Sequence, residues 1–169
     1  MSRWLLAISM LIFSGLAHAT LIIPIYFVNA NGQGVKMGTI KADDTIYGIL
    51  LTPNLRGLDE GAHGFHLHAL PFCTNYGRAS GGHYDPEHDD QHHGPFSGNG
   101  HLGDLPVLIA DEKGKATLPV LAPRLQMDVI KGKTLVIDSD GDNYSDTPHK
   151  NGGGGALVAC GTVPYFNKP

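Results

Sequence analysis

Short runs of apolar and β-branched residues, bounded by glycine, proline, asparagine or aspartate, recur along the chain from residue 22 onward. Runs of this length and composition are typical of β-strands, and turn residues at these intervals are typical of a β-sandwich or barrel. The Asn31-Gly32 pair between the first two runs is a strong hairpin signal. The pattern predicts about eight short strands, drawn from the runs 22–28, 35–42, 45–51, 62–69, 105–110, 116–121, 125–130, 134–138 and 156–163.

The run 62–69 alternates between apolar residues and histidines. Because successive side chains of a strand point to opposite faces, Phe65 and Leu67 share one face while His66 and His68 share the other. The apolar pair is expected in the core. The alternation therefore predicts two imidazoles that project in the same direction from one strand.

Two stretches, 72–101 and 138–155, show no periodic apolar pattern and are rich in glycine, aspartate, asparagine or histidine. A loop this long inside a compact domain is either disordered or functional, and histidine with aspartate favours a loop folded around a metal. We find no pattern for a helix, an internal repeat or an interdomain linker. The predicted fold is all-β, an eight-stranded barrel or sandwich with two long functional loops.

The first nineteen residues have the pattern of a leader peptide and not of a segment of the folded domain. Arg3 supplies a short positive segment, residues 4–16 are almost wholly apolar, and Ala17-His18-Ala19 offers the small residues that a signal peptidase reads. The apolar run is shorter than the roughly 20 residues of a membrane span, which favours a cleaved peptide over an uncleaved anchor. We predict a signal peptide at 1–19 and one mature domain at 20–169, periplasmic or secreted and free of the membrane.

Charge and cysteine content narrow the function classes further. The chain has 12 basic and 16 acidic residues, and removal of Arg3 leaves 11 basic residues and a net charge of -5. This balance argues against nucleic acid or an anionic membrane as the main partner. Cys73 and Cys160 are the only cysteines, and in an oxidising compartment an isolated pair without CxxC spacing favours a structural disulfide over a zinc or redox pair.

The histidines are concentrated in one part of the chain, since seven of the ten lie within residues 64–104. Imidazole is the commonest protein ligand for zinc and copper, so this density predicts a metal site. Four residues at spacings of 9, 9 and 3 suit one loop wrapped around a tetrahedral zinc ion. They are His83, His92, His101 and Asp104. A second site formed by His66 and His68 would lie close enough to share His83.

The remaining histidines have simpler interpretations. His88 and His93 are expected to be solvated, although His93 is an obvious rival to His92 as a ligand. His63 is out of register with the histidine pair of its own run, so we expect a structural role for it. His149 is a lone loop histidine and is expected to face solvent.

Six motifs carry a resemblance to a known family. They are GFHLH at 64–68, GGHYDP at 81–86, GHLGDLP at 100–106, GDN at 141–143, GGGG at 152–155 and ACG at 159–161. With these motifs the chain resembles the bacterial, exported copper/zinc superoxide dismutases, across nearly the whole mature sequence and in order. The resemblance implies an eight-stranded Greek-key barrel, superoxide as the substrate, and copper and zinc bridged by one imidazolate.

The resemblance also implies roles for individual residues. The copper ligands would be His66, His68 and the bridging His83. The zinc ligands would be His83, His92, His101 and Asp104. Asp142 resembles the carboxylate that links the two sites and would fix the orientation of the imidazoles. Cys73 and Cys160 match the intrachain disulfide of the family.

Two positions depart from the family pattern. Asp138 stands where the family has its fourth copper histidine, and Leu157 stands where it has its substrate-guiding arginine. A carboxylate should favour the oxidised copper ion, and leucine removes a positive charge that would steer an anion. The loop between Cys73 and Gly81 is also shorter than in typical bacterial members, which leaves monomer and homodimer both open.

Two hypotheses follow from this combination. The first is a superoxide dismutase with reduced activity, which retention of the three copper histidines and Asp142 favours. The second is a zinc-stabilised protein that stores, delivers or sequesters copper without efficient turnover, which Asp138 and Leu157 favour. In a third interpretation, Asp138 completes a site for iron, manganese or a second zinc ion.

Overall fold

The computed structural model describes residues 20–165, and in this range the chain forms ten β-strands, one short α-helix and two 3₁₀ turns. The signal peptide predicted at 1–19 lies outside the described residues. The elements are β1 (Thr20–Asn29), β2 (Gly32–Thr45), β3 (Gly48–Arg56), β4 (Gly61–His63), β5 (Phe65–His68), β6 (Leu108–Ala110), β7 (Lys115–Ala116), β8 (Val120–Ala122), α1 (Met127–Ile130), β9 (Thr134–Asp138) and β10 (Leu157–Thr162). No helix within residues 20–165 has the length and apolar character needed to cross a membrane.

The strands form one antiparallel sheet that bends back on itself. Its order is β4-β6-β7-β3-β2-β1-β10-β9-β5, with β8 beside β3. The strands at the two ends of this order, β4 and β5, are consecutive in the chain and are separated only by Gly64. Gly64 N donates to Asp140 O (2.7 Å), and Gly64 O accepts from Asp138 N (2.9 Å). The result is a nearly closed barrel, which confirms the predicted all-β barrel.

Aliphatic side chains fill the inside of the barrel. In β1, Leu21, Ile23 and Ile25 are buried, while Ile22, which lies between Leu21 and Ile23, is 54% exposed. In β5, Phe65 and Leu67 are fully buried in the same core. Burial of a side chain of this size contributes about 1.5–3 kcal/mol, so the core holds β5 firmly in one register. That register presents His66 and His68 on the opposite face of the strand.

The run 125–130 forms a short helix, so the strand predicted there is wrong. Val129 N donates to Gln126 O (3.0 Å), and α1 buries Met127 and Ile130. These two residues are three apart and therefore share one face of a helix, whereas strand geometry would place them on opposite faces. A short apolar run fits both the helix period and the strand period, and packing against the core decides which of the two forms.

The strand count is ten rather than eight because two predicted runs are divided. Gly64 separates β4 from β5 in the run 62–69, and the run 116–121 supplies parts of β7 and β8. The third strand also extends further than predicted, since Pro53 stays in the ladder and pairs with Ile40.

The disulfide between Cys73 and Cys160 is formed, as predicted. Its sulfur atoms pack with Val136 of β9 in a small satellite of the core. Because Cys160 lies in β10, the bond ties the loop that follows β5 to the barrel wall.

Candidate metal centre

Histidines from β5 and from the loop after it converge on one face of the barrel. Four residues place one potential ligand atom each within 4.8 Å of one another. They are His66, His83, His92 and Asp104. The backbone of the loop is docked on β5, because His66 pairs with Asp104 and His68 pairs with His83 as isolated bridges. The loop is therefore ordered by the strand that carries the first two histidines.

Three imidazoles meet the carboxylate of Asp104, and we call these four residues the Asp104 cluster. The distances to Asp104 Oδ1 are 2.9 Å from His83 Nδ1, 2.9 Å from His92 Nδ1 and 3.4 Å from His101 Nδ1. His92 Nδ1, His101 Nδ1 and Asp104 Oδ2 are buried and have no hydrogen-bond partner among the described residues. Buried polar atoms without partners are costly, so a set of nitrogen and oxygen donors aimed at one point fits a bound cation.

A second group of donors lies beside the first and shares His83 with it. We call it the Asp138 cluster, and its members are His66, His68, His83 and Asp138. The rings of His66 and His83 are stacked with centroids 3.9 Å apart. Asp138 Oδ2 lies 3.1 Å from His66 Nδ1 without the geometry of a hydrogen bond. His66 Nδ1, His68 Nε2 and Asp138 Oδ1 are all buried without a partner in the described part of the chain. This cluster also fits a cation.

Hydrogen bonds fix which nitrogen of each ring is free. His66 Nε2–H donates to Asp142 Oδ2 (2.7 Å), and His92 Nε2–H donates to Asp142 Oδ1 (2.8 Å). His68 Nδ1–H donates to Gly81 O (2.7 Å) and lies 2.8 Å from Ser80 Oγ. Because a carboxylate or carbonyl oxygen can only accept, the hydrogen-bonded nitrogen of each ring carries a proton, and the lone pair of the neutral ring is on the nitrogen that faces the cluster. Asp142 therefore orients one histidine of each cluster.

The sequence matches the family model described as copper/zinc superoxide dismutase over residues 36–163, which is well over half of the chain. The chain belongs to the copper/zinc superoxide dismutase family. Superoxide is the substrate of this family, and copper and zinc are its metals. The donor sets of the two clusters suit these metals.

Relatives and solved structures of the copper/zinc superoxide dismutase family agree with this assignment. The chain is 45% identical to a superoxide dismutase [Cu-Zn] of Legionella pneumophila over 160 residues, covering 94% of this chain and 96% of that one. The structure of the Cu/Zn superoxide dismutase from Brucella abortus matches with a TM-score of 0.81 at 38% identity, covering 86% of this chain and 99% of that one. A monomeric copper, zinc superoxide dismutase from Salmonella enterica gives a TM-score of 0.77 at 44% identity, with 86% and 99% coverage. The barrel is thus the Greek-key barrel of this family.

The dismutase-like centre opens to solvent through a cavity of about 520 Å³. Leu157 lines this cavity together with His68 and Asp138. Lys150 also lines it, but its Nζ forms an ion pair with Asp90 (2.8 Å). The cavity wall therefore carries an apolar side chain at 157, and the charge of Lys150 is partly neutralised.

The pKa values of the histidines in the two clusters are shifted in opposite directions. Burial opposes a charge on His66, but the carboxylates of Asp138 and Asp142 raise the pKa of His66. Burial opposes a charge on His92, but the carboxylates of Asp104 and Asp142 outweigh it and raise the pKa of His92 to about 9. Burial lowers the pKa of His68 to about 3 and that of His83 to about 4. At neutral pH these two rings have free lone pairs, as metal ligands must.

The pKa values of Asp142 and Asp138 are shifted in opposite directions. Burial opposes ionisation of Asp142, but hydrogen bonds from His66 and His92 outweigh it and hold the pKa of Asp142 well below its usual range. Burial raises the pKa of Asp138, although its closeness to His66 opposes that change. Asp142 is thus a fixed anion between the clusters.

The other histidines of residues 20–165 lie outside both clusters. His93 is exposed and lies 3.1 Å from Asn99 Oδ1, whereas its neighbour His92 is fully buried in the Asp104 cluster. His63 is buried with its ring nitrogens 2.7 Å from Asp138 O and 2.9 Å from Asp59 O, which fits the structural role predicted for it. His88 and His149 are exposed.

Some residues around the centre were not found from the sequence. Gly152 packs so closely on the Asp142 carboxylate that a Cβ there would collide with Asp142 Oδ1 and lie 2.8 Å from His92 Nε2. At Gly154, a Cβ would lie 2.5 Å from Asp138 Oδ2. The run of four glycines was visible in the sequence, but its contact with these carboxylates depends on how the second loop folds over the first.

Proposed function

We propose that this protein is an exported superoxide dismutase in which the Asp104 cluster holds zinc and the Asp138 cluster holds copper. The observation that carries the proposal is the set of buried donor atoms that have no hydrogen-bond partner among residues 20–165, and these atoms fall into two clusters that share His83. The disulfide between Cys73 and Cys160 supports export to the periplasm or outside the cell, since such bonds persist in oxidising compartments.

When bound, copper supplies the one-electron oxidation and reduction that convert superoxide to oxygen and hydrogen peroxide. The residues of the chain have other tasks. His83 offers its Nδ1 to the Asp104 cluster and leaves Nε2 as its donor for the Asp138 cluster. Asp142 holds His66 and His92 in the tautomers that bind metal. The cavity lined by His68 and His83 admits a small anion from solvent.

We propose that turnover is reduced relative to members with a complete copper site. The carboxylate of Asp138 replaces an imidazole and favours the oxidised ion, which disfavours cycling between two oxidation states. Leu157 provides no positive charge at the cavity wall, and the net charge of the mature chain repels an anionic substrate.

A second candidate function is a copper-binding protein that does not turn over. The observation in its favour is the same pair of residues, because Asp138 and Leu157 each weaken catalysis independently while three histidines remain to hold copper. Zinc in the Asp104 cluster would then act only as a structural ion.

Superoxide decay, followed by absorbance after rapid mixing, distinguishes the two functions. We expect residues 20–169 loaded with copper and zinc to remove superoxide much faster than the zinc-only protein or an equal amount of free copper. The Asp138→His variant should be faster than the natural sequence by about tenfold or more, the scale on which changes around a metal alter activity. Asp138→Asn is the matched control, because it removes the carboxylate without adding an imidazole.

Decay no faster than with the zinc-only and free-copper controls would contradict the enzyme and favour the copper-binding protein. An Asp138→His variant no faster than Asp138→Asn would contradict the explanation that the missing imidazole limits turnover.

A further inference from the structure

Arg124, which follows β8, reaches across to the loop that carries the Asp104 cluster. Its guanidinium donates hydrogen bonds to three consecutive backbone carbonyls: Nη1 to Asn99 O (3.3 Å) and His101 O (3.1 Å), and Nη2 to Gly100 O (2.7 Å). No carboxylate lies within ion-pair distance of Arg124 among the residues that the structure describes. The guanidinium of Arg124 therefore directs its positive charge and its N–H donors to one short segment of backbone.

The same segment is held from its other side by the limb of the loop that carries His92. His101 N donates to Gln91 O (2.9 Å), and Gly100 N donates to Asp89 Oδ2 (2.8 Å). Gly100 has a φ of +85°, and a Cβ there would lie 2.9 Å from Gln91 O, so the two limbs are in close contact. Residues 99–101, which lead to the proposed ligand His101, are thus bonded both to Arg124 and to the segment that precedes the proposed ligand His92.

His101 differs from the other histidines of the centre in how its ring is oriented. His66 and His92 each donate to Asp142, and His68 donates to Gly81 O. The ring of His101 has no such hydrogen bond within residues 20–165, and its contact with Asp104, at 3.4 Å, is the longest in the cluster. The position of the ring consequently depends on the backbone of His101. Arg124 donates hydrogen bonds to the carbonyl of His101 and to the carbonyls of the two preceding residues.

We propose that Arg124 is a positioning residue that holds His101 in place for zinc and thereby sets how long zinc is retained. The inference rests on the proposed function of the Asp104 cluster as a zinc site. The planar guanidinium presents several donors in a fixed fork, whereas lysine offers a single flexible ammonium, so lysine should replace it only in part. The hydrogen bonds of Arg124 go to backbone carbonyls, so it acts through the backbone of His101.

The test compares Arg124→Gln and Arg124→Lys with Arg56→Gln. Arg56 is exposed at the end of β3 and takes part in no ion pair or side-chain hydrogen bond among the described residues. Arg56→Gln therefore removes the same charge as Arg124→Gln without removing a hydrogen bond to the loop. Zinc-loaded proteins are mixed with a chromogenic chelator at neutral pH. We expect Arg124→Gln to release zinc about 10–100-fold faster than the natural sequence, the range for partners that orient metal ligands. The rate of zinc release from Arg124→Lys should lie between those of Arg124→Gln and the natural sequence. The rate for Arg56→Gln should equal that of the natural sequence.

Two further readouts separate positioning from general stability. With Co²⁺ in place of zinc, the visible absorption bands report ligand geometry, and we expect them to change in Arg124→Gln but not in Arg56→Gln. The melting temperature of the chelator-treated proteins should be similar in both variants, while that of the zinc-loaded protein should fall only in Arg124→Gln.

Each outcome decides the inference. Zinc release and Co²⁺ bands that are unchanged in Arg124→Gln overturn it while leaving the zinc site intact. An equal loss of melting temperature with and without zinc, accompanied by unchanged Co²⁺ bands, also overturns it, since Arg124 would then be merely structural. A natural sequence that takes up no zinc overturns the proposed zinc site together with this inference.

Discussion

Asp142 is the residue through which the two clusters are linked. Its two carboxylate oxygens accept from His66 and His92, and Tyr144 N donates to Oδ1 (2.7 Å) as well. Both imidazoles and the carboxylate are fully buried. In such surroundings hydrogen bonds are strong, so this one side chain sets the tautomer of a proposed ligand on each side.

At residue 157 we expect that a positive charge would restore electrostatic steering. Leu157→Arg should raise the association rate of superoxide by about tenfold or more at low ionic strength, because an anion is drawn into a cavity lined by a cation. Superoxide decay measured across a range of salt concentrations checks this. The gain should shrink as salt increases, since screening shortens the reach of the charge.

Leu157→Gln is the control for this prediction, because it makes the side chain polar without adding charge. A gain in Leu157→Arg that persists unchanged at high salt, or that Leu157→Gln reproduces, would show that electrostatic steering is not its cause.

At the scale of elements, β5 is the strand on which the centre is assembled. One edge pairs with β9, where His66 lies opposite Val136. The other edge binds the loop that follows β5, since Leu67 N donates to Gly103 O (2.8 Å) and Tyr84 N donates to Leu67 O (2.7 Å). The loop thus continues the sheet by backbone bonds, which explains how so long a segment without strands of its own is held in one conformation.

The disulfide is the covalent support of the first part of this loop. Replacing both Cys73 and Cys160 by serine should lower the free energy of unfolding by about 2–4 kcal/mol, with about 4.6 kcal/mol as the upper value from loop-closure entropy. The bond closes a separation of 87 residues, and both sulfur atoms are buried. Urea unfolding of the oxidised natural protein and of the double variant measures the difference.

The reduced natural protein, kept under a strong reductant, is the control for the disulfide prediction because its side chains keep their volume. If reduction leaves stability unchanged while the serine variant loses it, the loss comes from packing and the entropic explanation is wrong.

At the scale of the whole molecule, zinc uptake should depend on pH through His92. Its pKa is raised to about 9, whereas that of His83 is lowered to about 4. A ligand must be neutral, so at pH 7 zinc displaces about one proton from His92 and none from His83. Apparent zinc affinity should therefore rise with pH up to about 9 and then level off.

Calorimetric titration of chelator-treated protein with zinc, repeated in buffers of different ionisation enthalpy, counts the released protons. The stabilising charge on His92 in the absence of zinc is present in full below about pH 6.5 and is lost as pH rises through 9. A proton count near zero at pH 7 would contradict the coupling of His92 to its two carboxylates.

Local patterns were enough to predict the all-β barrel, the two long loops and most of the donor residues. The alternation in 65–68 places Phe65 and Leu67 in the core and both histidines on the other face, because a strand has a period of two whatever surrounds it. The hairpin between β1 and β2 was also predictable from the Asn-Gly signal, although its two turn residues are Ala30 and Asn31, because Gly32 already pairs with Asn29 in the ladder.

The predictions that failed or were incomplete concern choices that sequence neighbours cannot make. The run 125–130 fits both strand and helix periods, and only the core contacts of Met127 and Ile130 select the helix. His92 and His93 are adjacent and chemically identical, and burial in one fold assigns one to the cluster and the other to solvent.

Only the folded chain shows the partners that hold the centre together. Arg124 lies 23 residues from the carbonyl of His101, and Asp142 lies 76 residues from His66. Contacts between positions so far apart depend on how loops pack across the barrel, and no local periodicity encodes them. Residue types and spacing were therefore enough to propose the donors, whereas the orientation of each donor side chain is a property of the tertiary structure alone.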